Sequence, residues 1–335
     1  HPAISKPCFT FTFYPLLLME EHEDAQYCFQ DGNSSCKKAS TSIYVTLYIF
    51  FSVISILTVF LNLLVIITIS HLKQLHTPTN LLILSLAVSD LLVGLIVIPA
   101  MTVAVIEPCW NFGDYFCVFF LYTSYLCISS SLGNLILISI DRYVAVCDPL
   151  MYHSKITITI IQSCILMTWC CCIIYDAVLL YYVSVQVPSR CLKECYLVKG
   201  DFLLNIIDIV LTMIVPCSII VTIYMKIFVV ARSQARQVFS IKAATKPGVK
   251  AIQANKSERK AAKTLAIVVF NYLACWIPMY LSRFFFRFAS GNLFSAFICF
   301  LPLVNSLTNP IIYAFFYPWF KVTAKHIFTL KLWTL

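Results

Sequence analysis

Charged residues fall in clusters along this chain, and the stretches between them are long and continuously apolar. No Asp, Glu, Lys or Arg interrupts Ala39–Leu72, Tyr115–Ile140, Ile156–Tyr175, Ile209–Met225, Thr264–Ser282 or Phe288–Phe320, and Gln74–Ile106 is broken only by Asp90. About 20 apolar residues in a helix cross a ~30 Å hydrocarbon core, and a bilayer admits only helices and closed barrels, because it holds no water to satisfy exposed backbone. Barrel strands alternate over roughly ten residues; these runs are longer and do not alternate. The pattern predicts seven helical spans at about 43–70, 79–106, 114–146, 156–182, 202–231, 257–287 and 292–316, then an amphipathic segment from Pro318. The expected fold is an all-α membrane protein. An N-terminal segment (1–42) leads into a seven-transmembrane-helix bundle (43–316), with a third connecting loop at 232–256. A short amphipathic eighth helix and tail follow at 317–335.

Composition agrees. Of 335 residues, 60% are hydrophobic and 12% charged, with a mean hydropathy of +0.86. A soluble globule carries roughly 25% charged residues, so a water-soluble enzyme, a disordered chain and a nucleic-acid binder are all excluded. The net charge of +9 is informative through its distribution. Sixteen of the 24 Lys+Arg lie at the 1–2, 3–4 and 5–6 connections and the tail, and eight on the other side. The excess marks the cytoplasmic face, which places the N-terminus outside and predicts a multi-pass protein of the plasma membrane. Asn33-Ser34-Ser35 is then an extracellular glycosylation sequon, whereas Asn255-Lys256-Ser257 falls in a cytoplasmic loop and stays bare. About half of the 16 cysteines sit inside spans as small apolar packing residues. Cys28, Cys36, Cys109, Cys117, Cys191 and Cys195 face an oxidising compartment. Residue 1 is His, and Met19 is the expected initiator, with residues 1–18 an artefact of the reading frame; Cys8–Met19 otherwise reads as the apolar part of a signal peptide.

Strongly polar side chains inside a bilayer are costly and seldom accidental. Their order here is Asn62; Leu86-Ala87-Val88-Ser89-Asp90; Asp141-Arg142-Tyr143; Trp169; Pro216 and Tyr224; Cys275-Trp276-Ile277-Pro278; and Asn309-Pro310-Ile311-Ile312-Tyr313. With one landmark per span over residues 40–330, the chain resembles rhodopsin-like receptors that couple to G proteins. The end of the seventh span is narrower. Asn305-Ser306-Leu307-Thr308-Asn309-Pro310-Ile311-Ile312-Tyr313, then Tyr317-Pro318-Trp319-Phe320, resembles the signature of trace amine-associated receptors, as does Glu258-Arg259-Lys260-Ala261-Ala262-Lys263-Thr264-Leu265. The chain is identified as an olfactory-type member of that family.

The resemblance implies roles. Arg142 pairs at rest with Asp141 and with Glu258 on the sixth span, and swings towards Tyr224 and the G protein on activation; an arginine reaching for the interface is the blander alternative. Tyr143, Asn309, Pro310 and Tyr313 belong to the same switch, and Trp276 lies beneath the ligand. Asp90, Ser131, Asn305, Ser306 and Asn309 imply an allosteric sodium site of hard oxygen ligands, or else a hydrated polar network around a neutral acid. No other cofactor is expected. Pro216, Pro278 and Pro310 permit kinks. Family pairing implies Cys117–Cys195 and Cys36–Cys191, with Cys28 the rival of Cys36.

Amine receptors of this type hold the ligand ammonium on a third-span aspartate eighteen residues before the arginine. Here that residue is Ser124, and a hydroxyl cannot neutralise a buried cation. Asp208 lies eight residues before Pro216, about 12 Å further out at 1.5 Å per residue, and some members carry their acid there. Asp208 is the expected ammonium anchor. Asp176 is a candidate for a second cation, as in a diamine, or a packing acid, and Asp201 steers cations at the mouth. Tyr125, Cys127, Ile128, Trp276, Tyr280 and Leu303 are expected along the walls. Arg283 and Arg287 either pair with extracellular acids or attract a ligand carboxylate. They leave open a second reading, the same scaffold tuned to a zwitterionic or non-amine ligand.

The expected partners are a small-molecule amine, a stimulatory heterotrimeric G protein that raises cyclic AMP, and membrane lipid. Arg232–Lys263 carries nine Lys/Arg against Glu258 alone, suited both to anionic lipid and to a G-protein surface. A transporter is disfavoured because no doubled pattern of interrupted spans is present. An enzyme is disfavoured because no nucleophile–base set or metal cluster is visible.

Overall fold

The structure, a computed structural model, describes residues 41–106, 110, 112–182, 185–186, 196–197, 202–242, 266–279, 281, 293–316 and 320. Seven helices dominate the described residues. Helix α1 is Thr41–His71, and α2 runs from Pro78 to Ile106 through a π-helical turn at Val93–Val97. Helix α3 is Gly113–Cys147 and α4 is Ile158–Tyr182. Helix α5 runs from Phe202 to Lys242 through a second π-turn at Val210–Ile214. The described part of α6 is Ala266–Met279, and α7 is Leu293–Phe316. A one-turn helix, Tyr152–Lys155, lies between α3 and α4. Between α4 and α5, β1 (Val185–Gln186) and β2 (Tyr196–Leu197) pair antiparallel.

The helix ends follow local chemistry. Thr77 caps α2, its hydroxyl accepting from the Asn80 N–H, and Pro78 occupies the first turn, where no backbone donor is missed. Gly113 opens α3 at φ +78°, a left-handed conformation natural to glycine. Its carbonyl accepts from the buried Trp110 indole at 2.9 Å. Helix α5 continues eleven residues beyond the expected boundary at 231, into the segment read as loop. Leaving the bilayer does not end a helix; Ala231-Arg232-Ser233-Gln234-Ala235-Arg236-Gln237 contains good helix formers, and the first proline is Pro247.

Both π-turns precede a proline, Pro99 in α2 and Pro216 in α5. A proline lacks an N–H and collides with the carbonyl four residues earlier; one extra residue in the preceding turn relieves the clash. In α7, Pro302 accompanies Pro310 inside the helix. Pro310 stands out in the sequence within Asn309-Pro310-Ile311-Ile312-Tyr313, whereas Pro99 and Pro302 carry no such signal.

Among the described residues, five helices are long and apolar enough to cross a membrane by length and composition. They differ in what surrounds them. The most apolar window of α2 is 61% buried, and that of α4 only 11%. Leu166, Met167, Ile174 and Val178 of α4 are exposed, so this face is left for lipid. The core has two apolar zones. One gathers Leu82, Leu86, Leu135, Ile138, Ile220, Tyr272, Trp276 and Tyr313; the other gathers Phe51, Val97, Ile98, Trp110, Phe120, Leu121 and Phe300.

Polar contacts tie the helices together. Ser55 Oγ donates to the Gly94 carbonyl at 2.7 Å, and Asn62 Nδ2 to the Ser306 carbonyl at 3.0 Å. Ser89 and Ser130 share a hydrogen bond of 2.8 Å, and Trp169 Nε1 donates to Ser85 Oγ at 3.0 Å. Asn271 Nδ2 joins α6 to α7 by donating to Asn305 Oδ1 at 2.7 Å and to Thr308 Oγ1. Interhelical hydrogen bonds in membranes contribute about 0.6 kcal/mol each on average, so packing must supply the rest. Gly133 packs tightly against α4: a Cβ there would overlap the Thr168 γ-methyl but stand 3.8 Å from Thr168 Cβ. Thr168 is held by its bond to the Cys164 carbonyl at 2.9 Å. Gly133→Ala is therefore expected to lower the melting temperature of purified receptor, at a cost of about 1–3 kcal/mol. Adding Thr168→Ala should restore it; a double variant no more stable than the single one would reject this contact.

Candidate functional site

Where the C-terminal part of α4 meets the start of α5, two acids come together. Asp208 of α5 is 7% exposed; its Oδ1 accepts from the Tyr175 hydroxyl of α4 at 2.8 Å. Thr212 Oγ1 donates to the Asp208 carbonyl at 2.7 Å, satisfying backbone within the irregular α5 turn. Asp176, the next residue along α4, is 2% exposed; its Oδ1 accepts from Ser129 Oγ of α3 at 3.1 Å. The two carboxylates are near enough to repel each other.

Ser124 is buried on α3, and its hydroxyl donates to its own helix, to the Phe120 carbonyl at 2.7 Å. A negative charge at this depth therefore comes from α4 and α5. The expected walls divide between the two apolar zones. Tyr125, Cys127 and Leu303 belong with the Phe120 group, and Ile128 and Trp276 with the other, where the Tyr272 and Trp276 rings lie 5.6 Å apart. Counting eight residues of straight α-helix to Asp208 overlooked the π-turn, whose extra residue rotates the outer part of α5 by about 100°. The described side-chain partner of Asp208 is accordingly on α4. Tyr175 and Ser129 were missed by the sequence reading. A tyrosine or serine in an apolar span carries no signal of its own, although the adjacency of Tyr175 to Asp176 was visible.

In mid-bundle, Asp90 is fully buried and its Oδ2 accepts from Asn309 Nδ2 at 2.9 Å. The Ser306 hydroxyl also faces this carboxylate. Asp90 Oδ1 and Asn309 Oδ1 have no hydrogen-bond partner among the described residues. Ser131 is buried on α3. Asn305 turns its Oδ1 to Asn271 of α6 instead.

At the C-terminal end of α3, Arg142 donates to Asp141 Oδ2 through Nη2 at 2.6 Å and Nε at 2.9 Å. Two unforeseen hydroxyls complete the clasp. Thr79 Oγ1 of α2 donates to Asp141 Oδ2 at 2.9 Å and accepts from Arg142 Nη2 at 2.5 Å. Tyr152 of the one-turn helix donates to Asp141 Oδ1 at 2.8 Å. Burial pushes the Tyr152 phenol up to about 12, and the Asp141 carboxylate adds to the shift, so it stays a donor. Tyr143 and Tyr224 pack with Val146 and Ile227 between α3 and α5, and Tyr313 is buried in α7. Cys117 is buried and disulfide-bonded. Asn33, Cys28, Cys36, Cys109, Cys191, Cys195, Asp201, Glu258, Tyr280, Arg283 and Arg287 lie outside the described residues.

A helical membrane bundle whose polar residues converge on α3 and α7, with an arginine clasped at one end, has the make-up of a seven-helix receptor. Residues 61–313 match the family "7 transmembrane receptor (rhodopsin family)". The chain belongs to this family and, within it, to the trace amine-associated receptors. It is 36% identical to trace amine-associated receptor 13c of Danio rerio over 330 residues, covering 94% of this chain and 96% of that one. Trace amine-associated receptor 5 of Rattus norvegicus is 39% identical over 318 residues (90% and 91% covered), and trace amine-associated receptor 6 of Homo sapiens 36% over 318 (91% and 92%). The protein is thus a multi-pass G-protein-coupled receptor, not an enzyme, with a small-molecule ligand and a G protein as partners.

Proposed function

We propose that this receptor detects amines, that the ligand ammonium pairs with Asp208, and that the signal passes to a stimulatory G protein and raises cyclic AMP. One observation carries the reading. Asp208 is a buried carboxylate positioned by Tyr175, whereas the Ser124 hydroxyl is closed onto its own helix. A buried ammonium needs a full opposing charge, and α5 rather than α3 supplies it. The amine class is supported by the trace amine-associated relatives. A cyclic-AMP reporter in cells expressing wild type or Asp208→Asn, screened with an amine panel, tests both halves. Loss of amine responses with surface expression retained supports the anchor; a wild-type receptor that raises no cyclic AMP while recruiting another G protein rejects the stimulatory class. Plasma-membrane residence with the N-terminus outside is supported by the charge bias, and labelling of an N-terminal epitope on intact cells tests it. The olfactory role rests on the resemblance at α7, and in situ hybridisation of nasal epithelium tests it.

The Asp90 cluster suits a sodium ion. Asp90 Oδ1 and Asn309 Oδ1 are buried hard oxygens without hydrogen-bond partners among the described residues, the donor type such an ion prefers. Asp90, Ser306 and Asn309 would hold it, and the bound charge would stabilise the packing of α2 against α7. Replacing an organic cation by sodium at constant ionic strength is expected to raise the melting temperature of wild type by several degrees but not that of Asp90→Asn. Equal shifts in both would reject the site.

A further inference from the structure

Val268, Val269, Tyr272, Cys275 and Trp276 bury α6 among apolar neighbours. Asn271 breaks that pattern. An amide in an apolar span is costly unless it is paired, and this one reaches α7. Its Nδ2 donates to Asn305 Oδ1 at 2.7 Å and also to Thr308 Oγ1. Thr308 Oγ1 in turn donates to the Asn305 carbonyl at 3.0 Å. The hydrogens available fix every direction. A threonine hydroxyl owns one hydrogen and a carbonyl can only accept, so Thr308 must accept from Asn271. Asn271 therefore presents its amide N–H₂ to α7, and Asn305 answers with its oxygen. Both side-chain hydrogens of Asn271 are used, and separating the helices would leave them unpaired in an apolar span.

The receiving turn of α7 is anchored from other sides as well. Pro310 has no N–H to offer the Ser306 carbonyl, and Asn62 of α1 fills that place at 3.0 Å. Asn309 donates to Asp90 of α2 at 2.9 Å. Within residues 305–309, α7 is thus bound to α1, α2 and α6, and the first two ties hold it whatever α6 does. Asn271 lies five residues before Trp276, about 7.5 Å along the α6 axis. A signal that starts beside Trp276 and ends at Arg142 has to shift packed helices against one another. A shift that carries Asn271 more than about an ångström from α7 breaks both of its bonds. The Asp141–Arg142 clasp is closed in the same structure, so these bonds belong to the closed conformation. We propose that Asn271 is an interhelical latch: its two hydrogen bonds to Asn305 and Thr308 hold α6 against α7 while the clasp is closed, and they open when the receptor signals. The latch depends neither on the ligand class nor on the ammonium anchor.

The test compares purified full-length wild type, Asn271→Leu and Thr308→Val in lipid nanodiscs without ligand. Cys275 is a free, buried thiol one helical turn from Asn271, and Cys127 is a free, buried thiol on α3. Alkylation of each by N-ethylmaleimide is followed by peptide mass spectrometry. Ligand-independent nucleotide exchange is followed on stimulatory and inhibitory heterotrimers in turn. Asn271→Leu is expected to speed alkylation of Cys275 about sevenfold, to leave Cys127 unchanged and to raise basal exchange by a similar factor, the equivalent of two interhelical hydrogen bonds of average strength. Thr308→Val removes one acceptor and should raise both about threefold; added to Asn271→Leu it should change nothing further, because its bond is already gone. Cys275 alkylation at the wild-type rate would overturn the latch. So would equal acceleration at Cys275 and Cys127, which is a general loosening of the packing. Faster alkylation of Cys275 alone, with exchange unchanged on both heterotrimers, would separate the two bonds from signalling and overturn it too. Should Asn271→Leu not fold, Thr308→Val decides by the same three readings.

Discussion

Asp208→Asn is expected to weaken amine potency by about a hundredfold or more while the receptor still reaches the cell surface. The side chain is buried and hydrogen-bonded to Tyr175, and an asparagine can keep that bond because its Oδ1 still accepts. What it loses is the charge. Removing one partner of a desolvated charge pair costs about 2–5 kcal/mol, or roughly 30- to several-thousandfold at 1.4 kcal/mol per tenfold. Much of that cost comes from leaving the ammonium without a counter-ion. A hydrogen bond between an amide oxygen and the ammonium recovers only part of it. Asp208→Glu, which keeps the charge but lengthens the reach, should fall between the two. Dose–response curves for a single amine, normalised to surface expression, measure the effect, and a potency within threefold of wild type would exclude Asp208 as the anchor.

The second large effect is expected at the opposite end. Asp141→Asn should raise ligand-independent nucleotide exchange on the G protein by about tenfold and lower the melting temperature by several degrees. Asp141 is fully buried and receives four hydrogen bonds, two from Arg142 and one each from Thr79 and Tyr152. Neutralising it puts an amide N–H₂ or an uncharged oxygen opposite a guanidinium that stays charged at any physiological pH. Breaking a buried pair in this way costs about 3–5 kcal/mol, borne by the conformation in which the clasp is closed. A state with Arg142 released escapes most of that penalty, so the equilibrium moves towards it, tenfold for each 1.4 kcal/mol of difference. Tyr152→Phe removes one neutral donor and should produce a smaller rise in the same direction. Basal exchange equal to wild type, with an unchanged melting temperature, would show that the clasp does not hold the resting state.

The membrane architecture could be read from the chain because its cause is local and additive. Twenty apolar residues must become a helix in hydrocarbon whatever their neighbours do, and the expected span edges fall within about two residues of the described helix ends except at α5 and the partly described α6. The Asp141–Arg142 pair was legible for a similar reason, since adjacent residues are already in reach. The hydroxyls that complete the clasp were not. Thr79 lies 62 positions from Asp141 and Tyr152 lies 11 from it, each in a separate element, and no pattern distinguishes them from other hydroxyls near a helix end.

By itself, the sequence determined that the chain spans the membrane seven times, that its landmarks are those of a receptor, and that Ser124 cannot serve as the acid. Each of these follows from residue type and order. Tertiary structure decided which acids come within electrostatic reach of each other. The π-turn before Pro216 sets the rotation of the outer part of α5, and packing of α4 against α3 and α5 brings Asp176 beside Asp208. Electrostatic coupling depends on distance through space, and two residues 32 apart on different helices acquire a distance only when the helices pack.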